Sequence, residues 1–211
     1  MVGETHADLV QQIEEHFTLL NGMLAAGRED GPGTAMDAVL KVYAALARWG
    51  ARDPAEAQAF GTRMKQAGVE PFLLGERAQS VLGSYASDGE IYALRGRTDG
   101  YLTACQHRTA VQALQNDFPG VVSSDWAVES VDDFDEALRD VADDPTPMHR
   151  GQIPSWAPKS HWWWWQPEPV TMDMREFGDR LYAGDLGRGE PGSADWLRCG
   201  DKKCWCYTAP G

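Results

Sequence analysis

The chain has 211 residues, 43% of them hydrophobic, and carries 32 acidic against 19 basic side chains for a net charge of −13. This composition excludes wholesale disorder, and no run of 18 apolar residues is present that would span a bilayer. Without such a run a membrane is not an expected partner. An acidic chain also lacks the basic surface that a phosphate backbone requires, so nucleic acid is not an expected partner either. The N-terminus also lacks the basic and apolar regions of a secretion signal, and we therefore expect a cytoplasmic protein.

The N-terminal half is predicted to be helical. Thr5 precedes the first helix as its cap, with Asp8 three residues later in a shortened capping box. Apolar residues then recur at spacings of three or four, which places them on one face. Three further helices are predicted over residues 34–50, 53–68 and 71–84.

The middle of the chain predicts a small sheet. Ile and Tyr in residues 90–94 favour a strand, and residues 101–104 would pair with it after the turn at Thr98-Asp99-Gly100. A further strand is predicted at Val121 and Val122, with an extension to Val131 as the alternative. A helix over residues 108–116 and a second helix capped by Asp132 or Asp133 would pack on this sheet.

The predicted fold class is therefore α+β. A helical N-terminal half is followed by a small mixed sheet with packed helices and by an ordered loop rich in Pro and Trp. In domain terms, residues 1–183 form one globular domain, helical over 1–86 and mixed over 87–183. Residues 184–211 form a Gly-rich tail that contains Cys and Trp.

A run of four tryptophans is the most unusual feature of the sequence. Six prolines in residues 144–169 predict an extended or irregular backbone around it. In an extended segment alternate side chains face opposite sides, so Trp162 and Trp164 would point one way and Trp163 and Trp165 the other. One pair would fill the core. The other would be buried in a second layer or would form an aromatic surface for a partner.

Most of the negative charge lies in one segment. Residues 125–144 contain nine acids and one base. Acids in the first turn of a helix are favoured by its dipole, but acids near its end are not. The acids of the later part are therefore the better indication of a binding surface, against the alternative of a solvated helix face: Glu136, Asp140, Asp143 and Asp144.

Three of the four cysteines lie close together near the C-terminus. Cys199, Cys204 and Cys206 have the spacing C-x4-C-x-C, which differs from common zinc-binding spacings. No cofactor is expected by default, and a zinc ion held by these three thiolates is the alternative, with Cys105, His107 or His161 as the fourth ligand. A redox role and ordinary free thiols also remain open.

A second arrangement involves Cys105 and His107. If this segment were a strand, the two side chains would share one face and could form a nucleophile and base pair. The sequence contains no other recognised catalytic motif.

These features favour a protein-binding function over catalysis. The acidic segment would steer the protein toward a basic partner, and an adjacent aromatic surface would anchor it. An inhibitor of the toxin-immunity or phage anti-defence type is the form we expect. An enzyme with a C-terminal metal site and a structural subunit of a larger assembly are the alternatives.

Overall fold

The computed structural model describes residues 5–26, 31–49, 54–96, 100–141, 148–154, 157, 159–165, 173 and 175–176. Within these ranges the chain is helical, and its helices are α1 (His6–Ala26), α2 (Gly31–Trp49), α3 (Pro54–Gln66), α4 (Glu70–Leu73), α5 (Glu76–Leu94), α6 (Tyr101–Asp117) and α7 (Asp125–Asp140). Two 3-10 turns follow, at Arg150–Gln152 and Trp162–Trp164. No helix of the described part is long and apolar enough to cross a bilayer.

The predicted mixed sheet is wrong, because the described residues contain no strand. Residues 90–94 are the last turns of α5, and residues 101–104 are the first turn of α6. The third predicted strand is divided between a short loop after Phe118 and the first turns of α7.

Small residues explain why the second half of α5 was missed, whereas its first half lies within the helix predicted over residues 71–84. Its buried positions include Ala78, Leu82, Ala86 and Ala93, which recur at helical spacing but carry little apolar area. The exposed Ile91 and the neighbouring Tyr92 gave residues 90–94 the composition of a strand, although β-propensity mostly measures fit to a pleated surface.

The chain divides into two compact units. The first comprises Met1–Gly89 and Gln106–Phe134, and the second comprises Glu90–Cys105 and Asp135–Gly211. The predicted end of the globular domain at residue 183 and the Gly-rich tail lie outside the described residues.

In the first unit, α2 packs against α1, α3 and α4. The predicted capping box at the start of α1 is confirmed. The backbone N–H of Asp8 donates to the Thr5 hydroxyl at 3.2 Å, and the Thr5 N–H donates to the Asp8 carboxylate at 2.8 Å. The predicted apolar face of α1 is confirmed by its buried residues: Leu9, Ile13, Phe17 and Leu20.

One buried amide links three segments of the first unit. The Gln79 side chain, 2% exposed, donates to the carbonyl oxygens of Leu73 and Val121, each at 2.7 Å. Its carbonyl oxygen accepts from the N–H groups of Ser123 and Ser124 at 3.0 and 3.1 Å. The backbone groups that enter and leave the loop before α7 are thereby satisfied, which fixes where α7 begins.

Candidate protein-binding surface

The acidic segment lies on α7, which begins seven residues earlier than Asp132, the predicted start. Ser124 caps it, because its hydroxyl accepts from the Ala127 N–H at 3.2 Å. The inward side of the helix is apolar, and its largest buried residues are Phe134 and Leu138. All the acids of α7 except the partly buried Asp135 are exposed on the other side: Asp125, Glu129, Asp132, Asp133, Glu136 and Asp140.

The exposed acids of α7 are not used within the fold. None of the six makes an ion pair with another residue of the described part. Several of them, such as Asp132, Glu136 and Asp140, follow one another at a spacing of four, where like charges repel by a few tenths of a kcal/mol per pair. Asp140 stands in the last turn, where the helix dipole disfavours a negative charge. Apart from Asp125, which the helix dipole favours in the first turn, this arrangement costs stability rather than contributing to it.

The predicted binding residues are only partly placed. Glu136 and Asp140 are exposed on α7, whereas Asp143 and Asp144 lie outside the described residues.

The tryptophan run forms a 3-10 turn rather than an extended segment. The N–H groups of Trp164 and Trp165 donate to the carbonyl oxygens of His161 and Trp162 at 3.0 and 2.9 Å. The prolines around the run lie outside residues 159–165, so nothing in this stretch prevents these local hydrogen bonds. The predicted alternation of faces is therefore wrong. The neighbours Trp163 and Trp164 are both buried, at 2% and 1% exposure.

Hydrogen bonding to the buried carbonyl oxygen of Trp163 holds this tryptophan turn in place. The Tyr101 hydroxyl donates to the carbonyl oxygen of Trp163 at 2.7 Å, and the Cys105 thiol lies 3.4 Å from the same oxygen. The His161 ring stacks on the Trp163 ring with centroids 4.7 Å apart. The turn is thus fixed in the core of the second unit through α6.

The two outer tryptophans of the turn are partly buried and each contacts a cation. The Arg139 guanidinium lies 5.0 Å from the centre of the Trp162 ring, and the Lys159 ammonium lies 3.4 Å from that of Trp165. The first contact joins Trp162 to the last turn of α7, which also carries Glu136 and Asp140. The acidic segment and the tryptophan run therefore meet in the second unit.

Trp126 differs from the tryptophans of the turn. It is 49% exposed, and its indole makes no hydrogen bond, ring contact or cation contact with another described residue. One side of the ring covers Gly83 of α5, where an added Cβ would overlap the indole. Sequence reasoning missed this residue, although a single tryptophan among the acids of a charged helix was a visible signal.

Cys105 and His107 were predicted to share one face of a strand as a nucleophile and base pair. Cys105 and His107 both lie on α6, where residues two apart point in nearly opposite directions, so the proposed pair on one face is wrong. His107 instead stacks on Tyr85 with ring centroids 4.3 Å apart. Burial lowers the pKa of His107, against the opposing effects of a hydrogen bond with the Tyr85 backbone and the charge of Asp88.

No cluster of three or more metal-ligating side chains occurs in the part of the chain that the structure describes. Cys199, Cys204 and Cys206 lie outside it, so the zinc site stays a prediction. The chain matches no protein-family model, and comparisons with the curated proteins and with the solved structures give no match either.

Proposed function

We propose that this protein binds a basic partner protein through the exposed face of α7. The observation that carries the proposal is the set of six exposed carboxylates that make no ion pair among the described residues. Such a face lowers the stability of the isolated helix, and a cation-rich partner surface would offset that cost. It would also raise the association rate by electrostatic steering.

In the second unit, Trp162 supports the same proposal. Because Arg139 contacts its ring, Trp162 stands beside the turn that carries Glu136 and Asp140. A partner that binds these carboxylates would meet the edge of the indole as well. Trp163 and Trp164 are buried in the core, so they would contribute to binding by holding the turn in place.

Inhibition is the finer form of the proposal. A nuclease needs a basic surface to hold its phosphate backbone, and an acidic helix that covers this surface would exclude the substrate. This is the physical basis of an immunity or anti-defence inhibitor, and it requires no catalytic group in the inhibitor itself.

A pair of matched triple variants tests the proposal. The α7 triple variant carries Asp132→Asn, Glu136→Gln and Asp140→Asn. The control triple variant removes the same charge from exposed acids on α1, α4 and α5, through Glu15→Gln, Glu70→Gln and Glu76→Gln.

Each purified protein would be immobilised and exposed to an extract of its native host at about 50 mM and about 300 mM salt. We expect a saturable basic partner that the control triple variant retains. The α7 triple variant should bind it at least about tenfold more weakly, with a smaller dependence on salt. Equal retention by the two variants, or equal loss from both, would contradict the role of α7.

A further inference from the structure

We infer that Trp126 and the carboxylates beside it form a site for an arginine side chain of the partner. The inference rests on the proposed function and names the chemistry that the first turns of α7 would recognise. The residues concerned all belong to the first unit: Asp125, Trp126, Glu129, Asp132 and Asp133.

The indole of Trp126 is held in place and one side of it is open. Gly83 leaves room for the ring to lie directly against α5, which limits its motion. About half of the side chain is exposed, and no described residue lies over the ring as a cation or an aromatic partner. An indole face that is fixed before binding offers a contact surface at a low cost in side-chain entropy.

The charge around the indole selects a cation. Asp125 precedes Trp126 directly, and Glu129 lies three residues after it, on the same face of the helix. Both are exposed and make no ion pair with another described residue. An indole face is itself attractive to a cation. The ring and the carboxylates therefore favour the same kind of partner group.

Arginine fits this arrangement better than lysine. Its planar guanidinium stacks on an aromatic face and at the same time presents paired N–H donors to a carboxylate, which an ammonium cannot do. A lysine would gain the charge attraction but little of the stacking.

The same combination occurs inside this protein. The Arg63 guanidinium lies 4.2 Å from the centre of the Phe17 ring and 4.6 Å from that of Phe60. Its two terminal nitrogens donate to the carboxylate of Glu14 at 2.9 and 3.3 Å. Glu14 and Phe17 are three residues apart on α1, as Trp126 and Glu129 are on α7. On α1 the arginine comes from the same chain, whereas on α7 the position over the indole is open to a partner.

The test compares two synthetic peptides of equal charge and length, one in which arginine alternates with serine and one in which lysine alternates with serine. Binding of the full chain is measured by calorimetry or fluorescence anisotropy at low salt. We expect the wild type to bind the arginine peptide about three- to fivefold more tightly. Trp126→Leu keeps apolar area without a π face and should abolish this preference, while Trp126→Tyr should keep part of it.

Val128→Ala is the matched control, because Val128 is a similarly exposed apolar residue of the same helix (42%) that has no ring. It should leave the arginine preference unchanged. A wild type without a preference, or a Trp126→Leu protein that retains it, would overturn the arginine site. If the α7 triple variant then bound both peptides more weakly than the wild type does, this result would still support the proposed function. If the α7 triple variant bound both peptides as the wild type does, the proposed function itself would fail.

Discussion

Two tryptophan-bearing regions of this chain present their indole rings in opposite ways. In the tryptophan turn, Trp163 and Trp164 are buried and the outer pair contacts cations of the same chain. On α7, Trp126 is half-exposed against a glycine and is surrounded by acids. The run of four is thus mainly a structural element, whereas Trp126 has about half of its side chain exposed. The number of adjacent aromatic residues says little about exposure, because the local backbone decides which rings face inward.

Truncation of one tryptophan in each region gives the largest expected difference. Trp163→Ala removes a fully buried ring and should lower the free energy of unfolding by about 3–5 kcal/mol. Trp126→Ala removes a half-exposed ring and should cost about 1 kcal/mol or less. Urea unfolding measures both. Equal losses would contradict the division into a structural and an available tryptophan.

Substitutions at two glycines of α5 test the same difference between a buried and a half-exposed aromatic ring. An added Cβ at Gly89 would overlap the ring of Phe134, which is fully buried and has no room to move, so Gly89→Ala should cost about 1–3 kcal/mol. At Gly83 the overlap is with the indole of Trp126, which packs against α5 in the wild type but is half exposed, so the added methyl group can displace it outward and the cost should be smaller. Gly22→Ala is the control, because nothing lies within 4 Å of its added Cβ.

In Gly22→Ala, the higher helix propensity of alanine should raise the stability of the protein by about 0.5–1 kcal/mol. If Gly83→Ala destabilised the protein as much as Gly89→Ala, Trp126 would be fixed more rigidly than its exposure indicates.

Removal of the Tyr101 hydroxyl, which bonds the tryptophan turn, should have a smaller effect on stability. Tyr101→Phe removes the hydrogen bond to the Trp163 carbonyl and should cost about 1 kcal/mol. Tyr85→Phe is the matched control, since the buried Tyr85 hydroxyl has no hydrogen-bond partner among the described residues. Its removal should be neutral or slightly stabilising. Chemical denaturation of the two variants would show whether the turn depends on this bond, and equal effects would indicate that it does not.

Sequence reasoning predicted α1 well, because its buried side chains are large and regularly spaced. The face of α1 consists of Leu9, Ile13, Phe17 and Leu20, and both the helix and its burial were predicted. It failed in the second half of α5, where alanine and glycine occupy the buried positions and Gly89 allows close approach to Phe134. A pattern of large apolar residues cannot reveal such a helix, because its packing depends on the absence of side chains.

The acids of the candidate surface were predicted, but the arrangement of its tryptophans was not. The solvent-facing acids of α7 followed from their spacing, and the exposure of Glu136 and Asp140 is confirmed. The inward pair of the tryptophan run did not follow, because the turn depends on donors from α6 that are about 60 residues away in the sequence, at Tyr101 and Cys105. Trp126 was missed because its exposure depends on Gly83, about 40 residues earlier.

The buried His107 should make the stability of the protein depend on pH. Burial holds its pKa below the ordinary value of 6.5, so the unfolded chain binds a proton more readily than the folded one. The stability that the neutral ring contributes is therefore fully present above pH 6.5 and is lost as the pH falls toward the folded-state pKa. Stability measured from pH 7.5 to pH 5 should show this loss in the wild type, and His107→Gln should lack it. Identical slopes would contradict the assignment.

The smallest effect on stability should come from the acids of α7. The α7 triple variant removes the like-charge neighbours Asp132, Glu136 and Asp140, so at low salt it should be about 0.5 kcal/mol more stable than the wild type. The gain should fade as salt screens the charges. The control triple variant should show no such gain, because its three substitutions lie on separate helices. A marked loss of stability in the α7 triple variant would mean that these carboxylates have partners within the fold. A small gain joined to a large loss of binding would show that α7 maintains its charge for a partner at the expense of its own stability.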